Sequence, residues 1–436
     1  MPLTKLQFKP GINRETTSYS NEGGWFDSDK VRFRMGFPEK IGGWVRQSVY
    51  NFLGICRALH PWVALSGEKF IGVGTSVKYY INEGGSYQDI TPIRVASSAV
   101  TFAAGANTLD GNINASIQSI VLNSAAGFPA GGGLILIGTE QIRYVGITSA
   151  TLTSCTRGVN GTTAASHSNT DPVTCATLSV TDADGHGAVE NDFVTFSGAA
   201  SLGGVIVPAV LNQEYQINKV VSSTVFQIEA RTASSIASIT TTSGLNPVFV
   251  FANTSDSNNG GGSSVGAYQI NTGLDTTVQG TGWGAGTWTR GTWGSASDLT
   301  VSGATLRIWS HDNFGQNLLM NVRDGGIFYW DKANGVATRA VSLASLGVAA
   351  DNIPTIAKQI LVSDKDRHII AFGCDLETAI GTQDPLLIRF SSQGSLTDWT
   401  TKATNTAGDL RIGAGSEIIT AVETRQQVLV FTDVSL

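Results

Sequence analysis

Five side chains in TDADGHGAVENDF, namely Asp182, Asp184, His186, Glu190 and Asp192, are of the types that hold hard cations. The segment opens with the DxDG of half a calcium loop, but no glutamate stands at the twelfth position and no helix flanks it. Two readings stay open there, a strand-connecting turn and a weak Ca²⁺ site. Lys30, Arg32 and Arg34 in DKVRFRMG alternate with Val31, Phe33 and Met35, so a strand would carry three cations on one face and three apolar groups on the other. Such a stripe suits a solvated face, a neighbouring subunit or partner, or DNA phosphates; Trp25 and Trp44 flank it as candidate contact residues. Trp283, Trp288 and Trp293 recur every five residues between glycine-rich turns and suit either packing or an exposed stacking surface, for example on sugar rings.

Catalytic constellations are hard to find. No GxxxxGK[ST], HExxH or strand-to-helix GxGxxG occurs, and His60, His167, His186, His311 and His368 stand apart from one another. SSQGSLTDW (391–399) lacks the aspartate and spacing of a sialidase Asp-box. Asp364, Asp366 and Asp398 would have to converge in a cleft to act as paired carboxylates. Cys56, Cys155, Cys175 and Cys374 form no CxxC pair and read as reduced, mostly buried thiols, with Cys155 and Cys175 placed to touch across strands. The expectation is a protein that is not an enzyme and carries no metal or cofactor.

The elements that would position these residues are strands. Runs such as KFIGVGT (69–75), LILIGTEQIRYVGI (134–147), DFVTFSG (192–198), EYQINKVV (214–221) and QVLVFT (427–432) are bounded by Gly, Asn, Asp and Ser, while 342–360 allows at most a short turn of helix before Pro354. With 51 glycines in 436 residues and only 14% charged residues, the chain is turn-rich and charge-poor, and the expected fold class is all-β. No apolar stretch of 18 residues occurs, and the N-terminus lacks a secretory h-region, so cytoplasmic synthesis is expected.

Charge divides the chain. Residues 1–60 hold nine basic and five acidic side chains, net +4, while the whole is −6; a soluble nucleic-acid reader would be basic overall. Residues 95–297 carry 16 charges in 203 positions, which marks them as an insertion. Outside them, 69–92, 317–343 and 368–403 share one plan: a buried apolar strand, a turn, a second apolar strand, a turn and a short polar strand. A fourth copy begins at 427. Aligned on Phe70, Leu318, Ile369 and Val428, the copies predict a propeller-like body of four-stranded blades with an inserted pair of small β-sandwich or β-barrel modules. The expected boundaries are an N-terminal arm and first strands over 1–60, a first blade over 61–98, modules over 99–178 and 179–257, a Gly/Trp-rich return over 258–297, and further blades over 298–436. Open sheet edges require either more chain beyond Leu436 or another chain to close them.

The strings KPGINRETTSYSNEGGWFDSDKVRFRMGFPEKIGGW (9–44), GWGAGTWTRGTWG, SLTDWTTKATNTAGDLRIGAGSEI (395–418) and VLVFTDVSL resemble the tail-nozzle proteins of short-tailed bacteriophages, described as packaged-DNA stabilisation or tail hub proteins. The resemblance implies a homohexameric ring in the virion tail, below the portal and its adaptor. Such a ring retains the packaged genome and passes it at ejection. The partners implied are the adaptor or head-to-tail connector protein, tail fibre or spike proteins, genomic DNA touched transiently in the lumen, and the host cell surface. An acidic lumen would let the polyanion slide without gripping it. The competing expectation is a tail adhesin whose insert binds host glycan, with a polysaccharide hydrolase third.

Overall fold

The computed structural model describes residues 9–15, 17, 19–43, 45–232, 248–256, 262–273 and 306–435. The described residues are mostly strand, arranged in several antiparallel sheets. Two units separate, Met1–Val49 and Tyr50–Leu436.

In the second unit, three four-stranded meanders run along the chain. The first is Cys56–Val63, Lys69–Thr75, Tyr79–Glu83 and Ser86–Asp89; the second is Trp309–Phe314, Asn317–Val322, Ile327–Trp330 and Val341–Ser342; the third is Gln359–Val362, Ile369–Phe372, Leu387–Phe390 and Gly408–Arg411. A fourth sheet has two strands, Ile418–Glu423 and Val428–Thr432. The aligned positions Phe70, Leu318, Ile369 and Val428 each fall at the start of a sheet's second strand, not its first. The strand before them is less regular in sequence. In Cys56–Val63 it alternates exposed Leu59 and Val63 with buried Trp62, and in Trp309–Phe314 it is mostly polar.

Period-two alternation lets one strand serve two cores. Leu318, Met320 and Val322 turn toward the first sheet and share a core with Trp62, Phe70, Tyr79 and Ile81; Leu319 turns the other way and joins Ile360, Ile369, Ala371 and Leu387 of the third sheet. The third sheet repeats the device. Ile369 and Ala371 face the second sheet, whereas Phe372 and Ile388 share a core with Ile418, Ala421, Val428 and Val430 of the fourth. Each inner sheet is therefore buried on both faces, which explains why its central strands carry apolar side chains at successive positions, as in Leu318–Met320 and Ile369–Phe372.

The close approach of the first two sheets depends on a glycine. A Cβ at Gly74 would sit 2.6 Å from Cδ1 of Trp309, whose indole N–H donates to Thr75 O at 2.8 Å and so cannot swing away freely. Gly74→Ala is expected to destabilise this unit by about 1–3 kcal/mol, read as a lower midpoint of tryptophan-monitored denaturation with an unchanged m-value.

Between the first and second sheets the chain builds two modules, nested where the sequence suggested a tandem pair. A seven-stranded sheet contains Ile93–Ala103, Thr177–Asp182, Phe193–Ala199, Glu214–Gln216, Lys219–Val220, Val225–Glu229 and Gly262–Gln269. Ile93–Ala103 pairs with both Thr177–Asp182 and Gly262–Gln269, so this outer module opens and closes the insertion. The sheet curls about one core, with Phe196 and Phe226 from separate strands stacked at 6.4 Å. The inner module, a four-stranded and a three-stranded sheet around Leu109, Ile120, Ile135, Ile142, Leu152 and Val173, sits in the chain between Ala103 and Thr177. Composition could not show this nesting, because it depends on which distant strands pair.

Candidate functional site

The basic stripe lies in the N-terminal unit, on a hairpin of Val31–Arg34 and Phe37–Lys40. Its two-residue turn puts Met35 at φ 51° and Gly36 at φ 86°, the left-handed pair that a type I′ hairpin needs. Arg32 and Arg34 fall on the exposed face and Val31 and Phe33 on the half-buried one, as the alternation predicted. Lys30 departs from it: it precedes the strand at φ 57° and lies 3.6 Å from the carboxylate of its neighbour Asp29. Arg32 is 2.5 Å from Glu39 across the hairpin. Arg34 has no ion-pair partner among the described residues. Trp25 is half-buried with its ring 6.3 Å from Phe33; its backbone forms a bridge to Ile12, and Asn13 N–H donates to its carbonyl at 2.9 Å. Trp44, Trp283, Trp288 and Trp293 lie outside the described residues.

Around this hairpin the unit presents apolar side chains to solvent. Met35 and Val45 are each 91% exposed and Phe37 is 74% exposed. Exposed Met35 and Phe37, flanking Arg34 at the end of the hairpin, have the makings of a contact surface.

The DxDG segment is a hydrogen-bonded turn. Asp182 is fully buried and accepts from Ser97 Oγ at 2.6 Å, Tyr268 Oη at 2.7 Å and Asp184 N at 3.1 Å. His186 bridges Ser222 O and Ala188 N, Asp192 accepts from Val189 N, and Asp184 shares the Ser97 hydroxyl with Asp182 at 3.4 Å. No group of three or more His, Cys, Asp or Glu among the described residues could hold a metal ion. Burial pushes the Asp192 carboxyl up to about 6. Asp398 is held within its own loop by Asn405, and Asp364 donates its backbone N–H to Glu423. One pentapeptide, Gly262–Gly266, has the GxSxG spacing of a nucleophile elbow, but it lies inside an antiparallel strand with Ser264 fully buried, not on a strand-to-helix turn.

Other titratable groups that stand far apart in sequence do meet. Glu140, 1% exposed, takes a two-pronged bond from Arg157 at 2.8 and 2.7 Å, a contact from His167 Nε2 at 2.8 Å, and the N–H groups of Gly158 and Ala165 at 3.1 Å. Lys78 binds Asp89 at 2.7 Å and Glu214 at 2.5 Å, with Arg339 3.3 and 3.4 Å from the same two carboxylates. The rings of His60 and His311 lie 4.8 Å apart, tilted by 37°, and Tyr79 Oη lies 3.0 Å from His311 Nδ1. Burial, and then the charge of His60, depress His311 to about 4. In the Glu140 and Lys78 clusters the carboxylates face cations and backbone donors of the same chain, and Glu140 and Lys78 themselves are sealed from solvent. That arrangement suits scaffolding. Their signal in sequence was slight, since rare charges inside an apolar, charge-poor chain were the only mark they bore.

The thiols of Cys155, Cys175 and Cys374 are buried and free, while Cys56 is exposed. Cys155 and Cys175 share the inner module's core, where burial raises them to about 11 and about 12.

No family model matches the sequence, and no curated protein matches it. Among solved structures, "Phage phi92 endosialidase" aligns at 10% identity over 88% of this chain and 51% of that one, with a TM-score of 0.18. The chain spans about half the length of that protein, and a likeness at this score bears on neither fold nor activity.

Proposed function

We propose that the chain is a structural virion protein of a short-tailed phage, assembling as a ring of copies, a homohexamer by resemblance, that forms a DNA conduit below the portal and adaptor. In this reading the meander sheets are blades of a propeller-like wall, the nested modules project from it, and the N-terminal unit makes subunit or adaptor contacts. The observation that carries it is the stacking of successive sheets, each inner one buried on both faces through alternating side chains. Sheets stacked in succession, each burying both faces against its neighbours, are what blades of a propeller-like wall require. The resemblance of 9–44 and 395–418 to tail-nozzle proteins supplies the biological setting.

The test is a reconstruction of the particle carrying this chain, with an epitope placed in the exposed Asp110–Gly111 turn of the inner module. Density in a ring on the tail axis, with the epitope pointing outward, is the expected result. Epitope confined to peripheral appendages would overturn the conduit and make the chain a glycan- or receptor-binding adhesin.

A further inference from the structure

We propose that the junction of the inner and outer modules binds one carboxylate-bearing sugar ring, with Lys219 and Arg143 taking the carboxylate. One copy supplies every residue, so the site does not depend on the ring of subunits.

The junction holds a cavity of about 200 Å³. That is below the ~300–1,000 Å³ of sites for drug-sized molecules and leaves room for one ring with its substituents. Both modules wall it. From the outer module, Gln227 and Glu229 alternate onto one face of Val225–Glu229, and Lys219 stands directly opposite Gln227 on the neighbouring strand. From the inner module come the loop Gly131–Gly133 and Arg143, whose guanidinium crosses to Glu229 at 2.7 Å. Neither module alone carries the set.

The glycine floor is what lets the two modules close up. A Cβ at Gly131 would lie 2.8 Å from the Gln227 amide and 3.2 Å from Cδ of Lys219, and one at Gly132, where φ is 101°, would lie 2.8 Å from the carbonyl oxygens of Tyr144 and Val145. Over the bare backbone, Lys219 Nζ donates to Gly131 O at 2.8 Å, and the Gln227 amide accepts from Gly131 N and donates to Gly132 O, both at 3.2 Å. The side chains that face the cavity are therefore set in place before any ligand arrives.

Donors are left over. An ammonium has three protons to give, and Lys219 spends one on a neutral carbonyl, with no carboxylate within ion-pair distance of it among the described residues. Arg143 gives Nη2 to Glu229 and leaves Nε and Nη1 without an acceptor among the described residues. Two cations against one carboxylate give the wall a charge of +1. A single carboxylate neutralises it through charge-assisted bonds, whereas a phosphate monoester, with nearly two charges, would bring a surplus up against Glu229. The remaining lining fits hydroxyls and ring carbons: exposed Asn218 both donates and accepts, Glu229 accepts, and Val145, 60% exposed, offers an apolar edge.

The experiment uses the full chain and two matched pairs of probes, methyl glucuronide with methyl glucoside and methyl galacturonide with methyl galactoside, read by saturation-transfer NMR. Transfer to the ring protons of at least one uronide, and none to its neutral partner, is expected. Lys219→Met keeps the stem over Gly131 and removes the charge; it should weaken binding about tenfold or more, with an unchanged thermal midpoint showing that the junction still stands. Arg143→Met, at a side chain 45% exposed, should do the same. Equal transfer to acidic and neutral sugars would overturn the role of the two cations. Displacement of the uronide by equimolar acetate would overturn the sugar as ligand. Transfer to neither uronide, or transfer undiminished in both variants, would overturn the site. The ring of subunits stands or falls separately, on the particle reconstruction.

Discussion

Glu140→Ala is expected to unfold the inner module, at a cost of about 3–5 kcal/mol, the range for removing one partner from a buried ion pair. The substitution leaves the Arg157 guanidinium, itself only 6% exposed, facing an empty space. It also strands the N–H groups of Gly158 and Ala165, which have the carboxylate as acceptor. Arg157 further donates to the carbonyls of Asn114, Ile117 and Ala165, so one carboxylate orients the side chain that ties the 114–117 loop to the 157–165 loop. The acid limb of stability gives an independent check. Burial alone would raise the carboxyl, but bonds from Arg157 and His167 outweigh it and hold Glu140 at about 2 instead of 4.5. A carboxylate depressed in the folded state contributes stability that is complete above the unfolded value and lost as pH falls, here between about 4.5 and about 2. Hydrogen exchange in peptides from 134–175 should lose protection over that window in the native chain. In Glu140→Ala the same peptides should be unprotected already at pH 7. Protection that persists in the variant would show that the loops hold together without their carboxylate.

The parts of this architecture that were legible in sequence are those set by local pattern. Alternation in VRFR placed Arg32 and Arg34 on one face, and the apolar runs after 69, 317, 368 and 427 marked one strand of each sheet. The strand before the first run escaped notice because it faces solvent on one side, with Leu59 and Val63 exposed while Trp62 is buried, and the one before the second, Trp309–Phe314, because it is mostly polar. Nesting of the modules escaped for a different reason. Ile93–Ala103 has partners about 80 and 170 residues away, and nothing in its own composition names them. Glu140, Arg157 and His167, or Lys78 and Glu214, are likewise unremarkable one at a time; only the topology makes each set a cluster. Lys30 was misplaced by one residue, because a non-glycine residue at positive φ ends the strand where the pattern would continue it.

Lys78→Met is expected to loosen the outer module from the first sheet without unfolding either, because Lys78 is where three segments are tied together. Its ammonium is 1% exposed and meets Asp89 of the first sheet and Glu214 of the outer module, while Arg339, from the loop leading into the second sheet's last strand, spans the same two acids and donates to Thr91 O at 2.7 Å. Gln269 donates to the other oxygen of Glu214 at 2.6 Å, and the Lys78 nitrogen lies 4.5 Å from the centre of the Phe193 ring. Burial would raise Asp89, but Lys78 and then Arg339 prevail and keep it low, so with Lys78 gone two carboxylates compete for one guanidinium. The cost should again be about 3–5 kcal/mol, and it should appear as faster exchange in 93–103 and 262–270 while 317–330 keeps its protection. Pairing the change with Glu214→Met tests whether the penalty is an orphaned charge or lost bulk. An apolar pair of similar volume, backed by the Phe193 ring, leaves Asp89 to Arg339 and should recover most of the loss. A double variant as unstable as the sum of its parts would mean that the module is held by packing around Ile270 and not by this cluster, and that the ion pairs only fill the joint.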